Sequence, residues 1–430
     1  MRRLWLYLLP FLFLPNLNFS QVTEYGVIEL SDRLVVPYII LLLFAVDFRK
    51  RVQFDQIKSL MLGFLVWAFI VTATINLRYA YDDPYYVQFG LLKLGKFALY
   101  GLAGYLTVKA TADATARRGL VISLLASGLA MGIGLMLVGS KTQAQVDIDL
   151  ADPDPGAGYK ASNAVSVFAA MMACYVCGLW LEKRETNPFR RWAMIVAMVA
   201  LLLGSAISEG RGGWIAGIAG FLYLVVSGSF SIRRLLVVFA VPVVIVLAYA
   251  AVPVFHQRVE ATIDPNQRTR EETTEAIGGV TLGARPEEWM DGIRQFRSPL
   301  FGTGFYHRGG ESGIYPTGSH NFFLQMFLET GVPGGIVMLM IFVRMWKISG
   351  TDIARDSGLT LPVRSALTAA ITGAMGGEYF YGGSGLLALF AVYAACGSLP
   401  VTGRRVRSPF LAQGETLPPY SFPAAEVPQQ

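Results

Sequence analysis

Asn321, Gln325 and Glu329 recur every four residues in the run Ser319-His320-Asn321-Phe322-Phe323-Leu324-Gln325-Met326-Phe327-Leu328-Glu329-Thr330-Gly331. At that spacing they share one face of a helix whose other faces are Phe, Leu and Met. His320 stands at the first turn of the same helix. An imidazole, two carboxamides and a carboxylate along one edge are groups that exchange protons and hold polar ligands. The segment ends at Val332-Pro333-Gly334-Gly335 after about a dozen residues, short of the ~20 needed to cross a bilayer, so the pattern predicts a boundary helix hinged to a later span. Two arginines have chemistry of their own, because a planar, permanently charged guanidinium suits two-pronged capture of phosphate. Arg211, in Ser208-Glu209-Gly210-Arg211-Gly212-Gly213-Trp214, stands on a tight connection whose glycines would let the backbone approach a ligand closely. Arg285 stands just before the amphipathic stretch Pro286–Phe296, where the positive end of a helix would add to its field. A headgroup contact, or a salt bridge such as Arg211 with Glu209, explains either arginine alone. Their expected place on one side with His320 is what points to a site.

The elements that must carry these groups are membrane helices. Hydrophobic residues make up 53% of the 430 and mean hydropathy is +0.47. The apolar residues come in runs rather than in a period of 3.6 or 2. Such runs lie at 4–19, 34–47, 58–77, 87–108, 119–140, 161–181, 192–208, 212–230, 235–254, 331–346, 365–378 and 384–400. The fold class expected is therefore all-α and polytopic, with about twelve spans. Charge gives an independent test, since Lys and Arg gather in cytoplasmic loops. With Met1-Arg2-Arg3 inside, alternate connections carry Arg49-Lys50-Arg51, Lys109 with Arg117-Arg118, Lys183-Arg184 with Arg190-Arg191, Arg233-Arg234, Arg344 with Lys347, and Arg404-Arg405. The intervening ones carry only Arg33, Arg78, Lys141, Lys160 and Arg211. Both termini are expected inside, and the net charge of +6 is then topological, with no nucleic-acid partner implied.

This divides the chain into nine helices over 1–254, a large external loop with its boundary helix over 255–330, three helices over 331–401, and a Pro-rich, polar cytoplasmic tail over 402–430 expected to be disordered. The loop from Phe255 to Gly318 exceeds every other connection, and all three histidines, His256, His307 and His320, lie on it or at its edges. The basic start and short first run also fit a secretory signal, but no small-x-small cleavage site stands near Phe19-Ser20-Gln21, so an uncleaved first helix is expected. Cys174, Cys177 and Cys396 all fall in apolar runs, where they read as small buried side chains. Asp147, Asp149, Asp152 and Asp154 crowd one loop without the glycine and terminal glutamate of a calcium loop, and no cluster demands a metal.

Arg211-Gly212-Gly213-Trp214, Arg285 with Trp289, Pro299-Leu300-Phe301-Gly302-Thr303-Gly304, and His320-Asn321 with Glu329 and Gly331 together resemble the signature of the O-antigen ligase and polymerase superfamily. The resemblance runs from about Ser205 to Trp346, and its most specific piece is His-Asn-x-x-Leu-x-x-x-x-Glu-x-Gly. It implies a GT-C-like membrane glycosyltransferase of the bacterial inner membrane. Such an enzyme takes a glycan from an undecaprenyl diphosphate carrier and passes it to an acceptor hydroxyl, such as that of lipid A-core, at the periplasmic face. It implies no cofactor and no metal. Arg211, Arg285, Asn321, Glu329 and Trp289 would bind substrate. His320, held neutral by a helix N-terminus, would take the acceptor's proton, while fixed arginines would stabilise the departing diphosphate.

Lys93 and Lys96, three apart on one face of the fourth run, either touch the carrier diphosphate or line a wet cavity, since a lysine near the membrane centre costs on the order of 3 kcal/mol. Within the family, ligation to lipid A-core, repeat-unit polymerisation and glycan transfer to protein share these motifs. The single large loop before the His element favours the ligase. A multi-pass transporter or flippase of lipid-linked glycans is the rival from another class, but transporters show paired halves with matching helix breaks. The Gly331-Val332-Pro333-Gly334-Gly335 break has no counterpart in the first half of this chain. A structural membrane subunit would leave His320 and both arginines freely replaceable.

Overall fold

Each of the twelve apolar runs overlaps a helix in the computed structural model. A segment in lipid must satisfy its own backbone N–H and C=O groups, and only a helix does so alone. The structure describes residues 3–13, 21–23, 26–28, 30–79, 84–138, 162–182, 187–207, 211–227, 232–251, 256, 285–294, 296, 298–305, 321–377, 380 and 384–400.

The helices are α1 (Leu4–Phe13), α2 (Leu30–Ala45), α3 (Asp55–Tyr79), α4 (Pro84–Ala110), α5 (Ala114–Val138), α6 (Ser162–Leu181), α7 (Pro188–Ile207), α8 (Arg211–Val226) and α9 (Ile232–Ala251). They continue with α10 (Arg285–Arg294), α11 (Phe322–Ile348), α12 (Asp352–Asp356), α13 (Thr360–Met375) and α14 (Ser384–Gly397). One element departs from the expected all-α class. A short antiparallel hairpin, β1 (Gln21–Thr23) with β2 (Gly26–Ile28), follows α1 and pairs Val22 with Val27. Among the described residues, four helices are long and apolar enough to cross a membrane: α3, α5, α7 and α11.

Val167 through Cys177 of α6 and Leu386 through Cys396 of α14 are buried throughout, and in both stretches Ala and Cys alternate with larger apolar side chains. Small residues let helix backbones approach closely where no hydrophobic effect drives them together. A Cβ on Gly178 of α6 would lie 2.5 Å from the Pro362 Cα of α13. Large apolar side chains also point outward, among them Leu62, Val66 and Phe69 on α3, Phe189 and Trp192 on α7, and Ile218 and Leu222 on α8. An apolar exterior over long apolar helices is the surface of a membrane protein. The three cysteines are buried and unbonded to one another.

Hydrogen bonds define one end of the bundle. Gln53 N–H reaches the Leu399 carbonyl at 2.9 Å and Phe54 N–H the Gly397 carbonyl at 3.0 Å. Lys109 donates to the Lys50 carbonyl and, at 3.2 Å, to the Asp55 carboxylate. Thr351 donates to the Gln53 side chain at 3.2 Å, and the Arg364 guanidinium caps the Trp346 carbonyl at 3.3 Å while lying 5.1 Å from that tryptophan's ring centroid. The starts of α3 and α13 therefore lie with the ends of α4, α11 and α14, and basic side chains gather there. The Asp113 carboxyl, in the exposed turn after α4, is held below the usual carboxylate range by the backbone N–H groups of Ala116 and Thr115. The opposite end carries the start of α11.

Candidate functional site

Asn321 opens α11 as its N-cap, in an extended backbone conformation, with Oδ1 accepting the Leu324 N–H at 3.1 Å. Its side-chain oxygen satisfies one of the orphan donors of the first turn. Gln325 Nε2 donates to Glu329 Oε1 at 2.5 Å. Asn321 and Gln325 are half-buried, whereas Glu329 is only 1% exposed, so the polar edge descends from the surface into the protein.

The helix does not stop after this edge. Phe322 to Ile348 form one 27-residue helix with a single non-helical residue, Gly331, at φ 71 and ψ 178. The bend follows from Pro333, which has no N–H to give the Glu329 carbonyl four residues back. The Val332 N–H also leaves the ladder, donating to the Pro299 carbonyl at 2.8 Å. Two carbonyls, of Leu328 and Glu329, thereby lose their helical donors, and a buried orphan carbonyl is costly. The segment Ser298–Phe305 supplies the replacements. Thr303 N–H reaches Leu328 O at 2.8 Å and Gly304 N–H reaches Glu329 O at 2.9 Å, with the Thr303 hydroxyl adding a 3.2 Å bond to Leu328 O. Such closeness requires glycines with positive φ on both sides. A Cβ on Gly302 would lie 2.5 Å from the Leu328 oxygen, and one on Gly331 would lie 2.1 Å from the Leu300 oxygen.

The other expected site residues fall at this end to different degrees. His320 lies outside the described residues, one position before the α11 cap; His307 and the aspartates at 147, 149, 152 and 154 also lie outside them. Arg285 is the first residue of α10 and Arg211 the first of α8, but their side chains lie outside the described set. α10 docks on α11, since a Cβ on Gly292 would come within 2.9 Å of Leu328. Trp289, one turn earlier on the same helix face, has a buried indole Nε1 with no hydrogen-bond partner among the described residues. An indole N–H left unpaired costs roughly 1–3 kcal/mol and wants an acceptor.

Arg211 opens a helix parallel to α11, for the Tyr223 ring of α8 meets the Trp346 ring of α11 at 5.4 Å. At 1.5 Å per residue Arg211 is roughly 18 Å up α8 from that contact, a rise that on α11 reaches Gly334, beside the bend, for near-parallel axes. The expectation that glycines after Arg211 admit a ligand needs correcting for Gly213. A Cβ there would lie 1.9 Å from Ser166 Oγ of α6, so this glycine seats α8 on α6. Trp214 Nε1 donates to the Ser205 carbonyl at 3.0 Å, and Ser205 and Ser166 share a 3.0 Å hydroxyl contact. The Arg-Gly-Gly-Trp element thus fixes where α8 begins by tying it to α6 and α7.

Lys96 donates to Asp32 Oδ2 at 2.7 Å, and Tyr100 OH donates to Asp32 Oδ1 at 2.9 Å. The Lys96 ammonium is thus engaged by a carboxylate at the start of α2, a partner the sequence reading did not name although an acid in an apolar helix is its own signal. Lys93 is half-buried one turn earlier. This pair is nonetheless close to the docked segment, because Phe97, next to Lys96, packs its ring 5.7 Å from that of Phe305.

Residues 196–339 match the family model described as O-antigen ligase. That span contains His320, Arg211, Arg285, Trp289, Asn321 and Glu329 and ends six residues beyond Pro333. Lys93 and Lys96 lie before it. No curated protein matches the chain. From α7 to the bent helix, this chain carries a domain of the O-antigen ligase and polymerase superfamily.

Proposed function

We propose that the protein is a ligase-type membrane glycosyltransferase, which moves a glycan from undecaprenyl diphosphate to an acceptor hydroxyl of lipid A-core at the periplasmic face of the inner membrane. The observation that carries this reading is the family match over a segment that includes the docked start of α11 with its Gln325–Glu329 pair. Arg211 and Arg285 hold the carrier diphosphate and stabilise the charge it gains as the sugar departs. Trp289 gives its buried N–H to the donor, and the Gln325–Glu329 pair orients the polar edge on which His320 and Asn321 meet the acceptor. His320 accepts the hydroxyl proton. Lys93 contributes to the field at the carrier, whereas Lys96 is committed to Asp32. The reaction needs no divalent metal in this reading, since the guanidinium groups supply the positive charge.

The glycan profile of a deletion strain tests the function. Carrier-bound polymer that accumulates while lipid A-core stays bare supports the ligase. Single-repeat products on lipid A-core would instead make the protein a polymerase, and an unchanged profile would remove both readings.

The basic end of the bundle is cytoplasmic in this proposal, with about twelve spans, both termini inside and the 255–318 loop in the periplasm. A single cysteine in that loop, on a cysteine-free background, is expected to react with a membrane-impermeant thiol reagent in cells with a permeabilised outer membrane. Reaction only after rupture of the inner membrane would invert the topology.

Replacing Arg211 or Arg285 by Ala is expected to lower kcat/KM about 100-fold, the scale of losing one preorganised donor. Lys should recover only part of it, because an ammonium keeps the charge and not the two-pronged geometry. Near-normal turnover in both Ala variants, or activity abolished by a chelator and restored by magnesium, would assign the diphosphate to other groups.

A further inference from the structure

The segment that fills the bend of α11 is itself held by a helix outside the matched domain. Phe305 N–H, at the end of the segment, donates to the Thr72 hydroxyl of α3 at 3.0 Å, and both residues are fully buried. Trp67, little more than a turn earlier on α3, stacks on the Phe301 ring at 5.9 Å and 16°. Its indole Nε1 donates to the Thr330 carbonyl at 2.7 Å, immediately before Gly331. Little more than one turn of α3 therefore grips both partners of the bend: the segment through Phe301 and Phe305, and the helix through Thr330.

The grip matters because the bend has little rigidity of its own. Pro333 and Gly331 remove helical hydrogen bonds there, and Gly334 and Gly335 follow. The direction of the α11 start, which carries Asn321, Gln325 and Glu329, is then set by whatever fixes the segment against the bend. From this geometry we infer that Trp67 and Thr72 are positioning residues for the site, acting through Phe301, Phe305 and Thr330 on the orientation of the first turns of α11. The inference rests on the transferase reading only for its catalytic consequence; the orientation itself is independent of it.

The test uses the full-length protein with spin labels at Met290 on α10 and Val343 beyond the bend, both about half exposed, on a background lacking the three native cysteines. Thr72→Val keeps the side-chain shape and removes the acceptor for Phe305 N–H, while Thr72→Ser keeps a hydroxyl. The interlabel distance distribution is expected to be narrow in the parent and in Thr72→Ser, and broadened or shifted in Thr72→Val. Glycan transfer by Thr72→Val should fall about tenfold in kcat with donor KM within about twofold, and Thr72→Ser should restore it. Trp67→Phe, which keeps the ring over Phe301 and removes only the indole donor, should move both readouts the same way by less, and it serves if Thr72→Val does not fold. A parent-like distance distribution in Thr72→Val and Trp67→Phe would overturn the inference, as would a broadened one with unchanged turnover. A parent protein without transfer activity would overturn the transferase reading alone, while the distances still decide the positioning.

Discussion

His320→Ala is expected to lower turnover by about 100-fold to 10,000-fold, the range of a lost general base, with expression and carrier binding nearly unchanged. In the proposed transfer the acceptor hydroxyl gives up its proton as the new glycosidic bond forms, and His320 immediately precedes the Asn321 cap in the sequence. In that role the ring must be neutral to accept the proton. The sign of the pH dependence follows: turnover declines as pH falls and the ring becomes charged, and His320→Ala loses that limb of the profile. His320→Gln separates proton transfer from orientation, since it can hold a hydroxyl and cannot take its proton. A His320→Ala protein with near-parent turnover, or an unchanged acidic limb, would remove His320 from the chemistry.

Gly331→Ala is the second large effect, and it is written in the backbone. The residue sits at φ 71 and ψ 178 in the middle of a helix, a region essentially reserved for glycine that costs an L-residue roughly 1–3 kcal/mol. The added methyl would also stand 2.1 Å from the Leu300 carbonyl oxygen, a contact that only backbone displacement relieves, at about 1–3 kcal/mol more. Moving Leu300 away breaks the bonds from Val332 to Pro299 and from Thr303 and Gly304 to the bend, which strands buried carbonyls. The variant is expected to lose several kcal/mol of stability and most of its activity, seen as a lowered Tm in detergent and a proteolytically sensitive segment near Gly302. Gly334→Ala is the control. An added methyl there meets Thr330 Cβ at 2.5 Å, so α11 must give locally, but Gly334 has no positive φ and the methyl meets no backbone of the docked segment, so a smaller loss is expected. Equal stability of Gly331→Ala and the parent would mean that the bend is not held by this contact.

The difference between these two residues shows how far the chain could be read unaided. His320, Asn321 and Glu329 stand out in the sequence because their spacing against Phe and Leu is local, and local periodicity survives without knowledge of the fold. The same holds for the helical runs, the amphipathic helix at Arg285, and the bend that Gly331 and Pro333 impose. The Asn321 cap, too, is a matter of a few adjacent residues. The β1–β2 hairpin is not legible in the sequence because Gln21–Ile28 is short and has no strong turn signal beyond Gly26.

What the tertiary structure decided is which group answers each need that the sequence creates. Pro333 announces an orphan carbonyl at Glu329, but nothing local says that Gly304 will fill it, or that Thr72 and Trp67, more than 200 residues away in the chain, will hold Gly304 there. Lys96 announces a buried charge, but only the approach of α2 to α4 identifies Asp32 as its partner. Gly213 looked like room for a ligand, and helix packing gave that room to Ser166. Residue types and spacing determine the elements and their unmet hydrogen bonds and charges, because those depend on neighbours within a turn or two. The partners that meet them come from other helices, whose proximity arises from side-chain packing across the whole bundle and leaves no trace in any one segment.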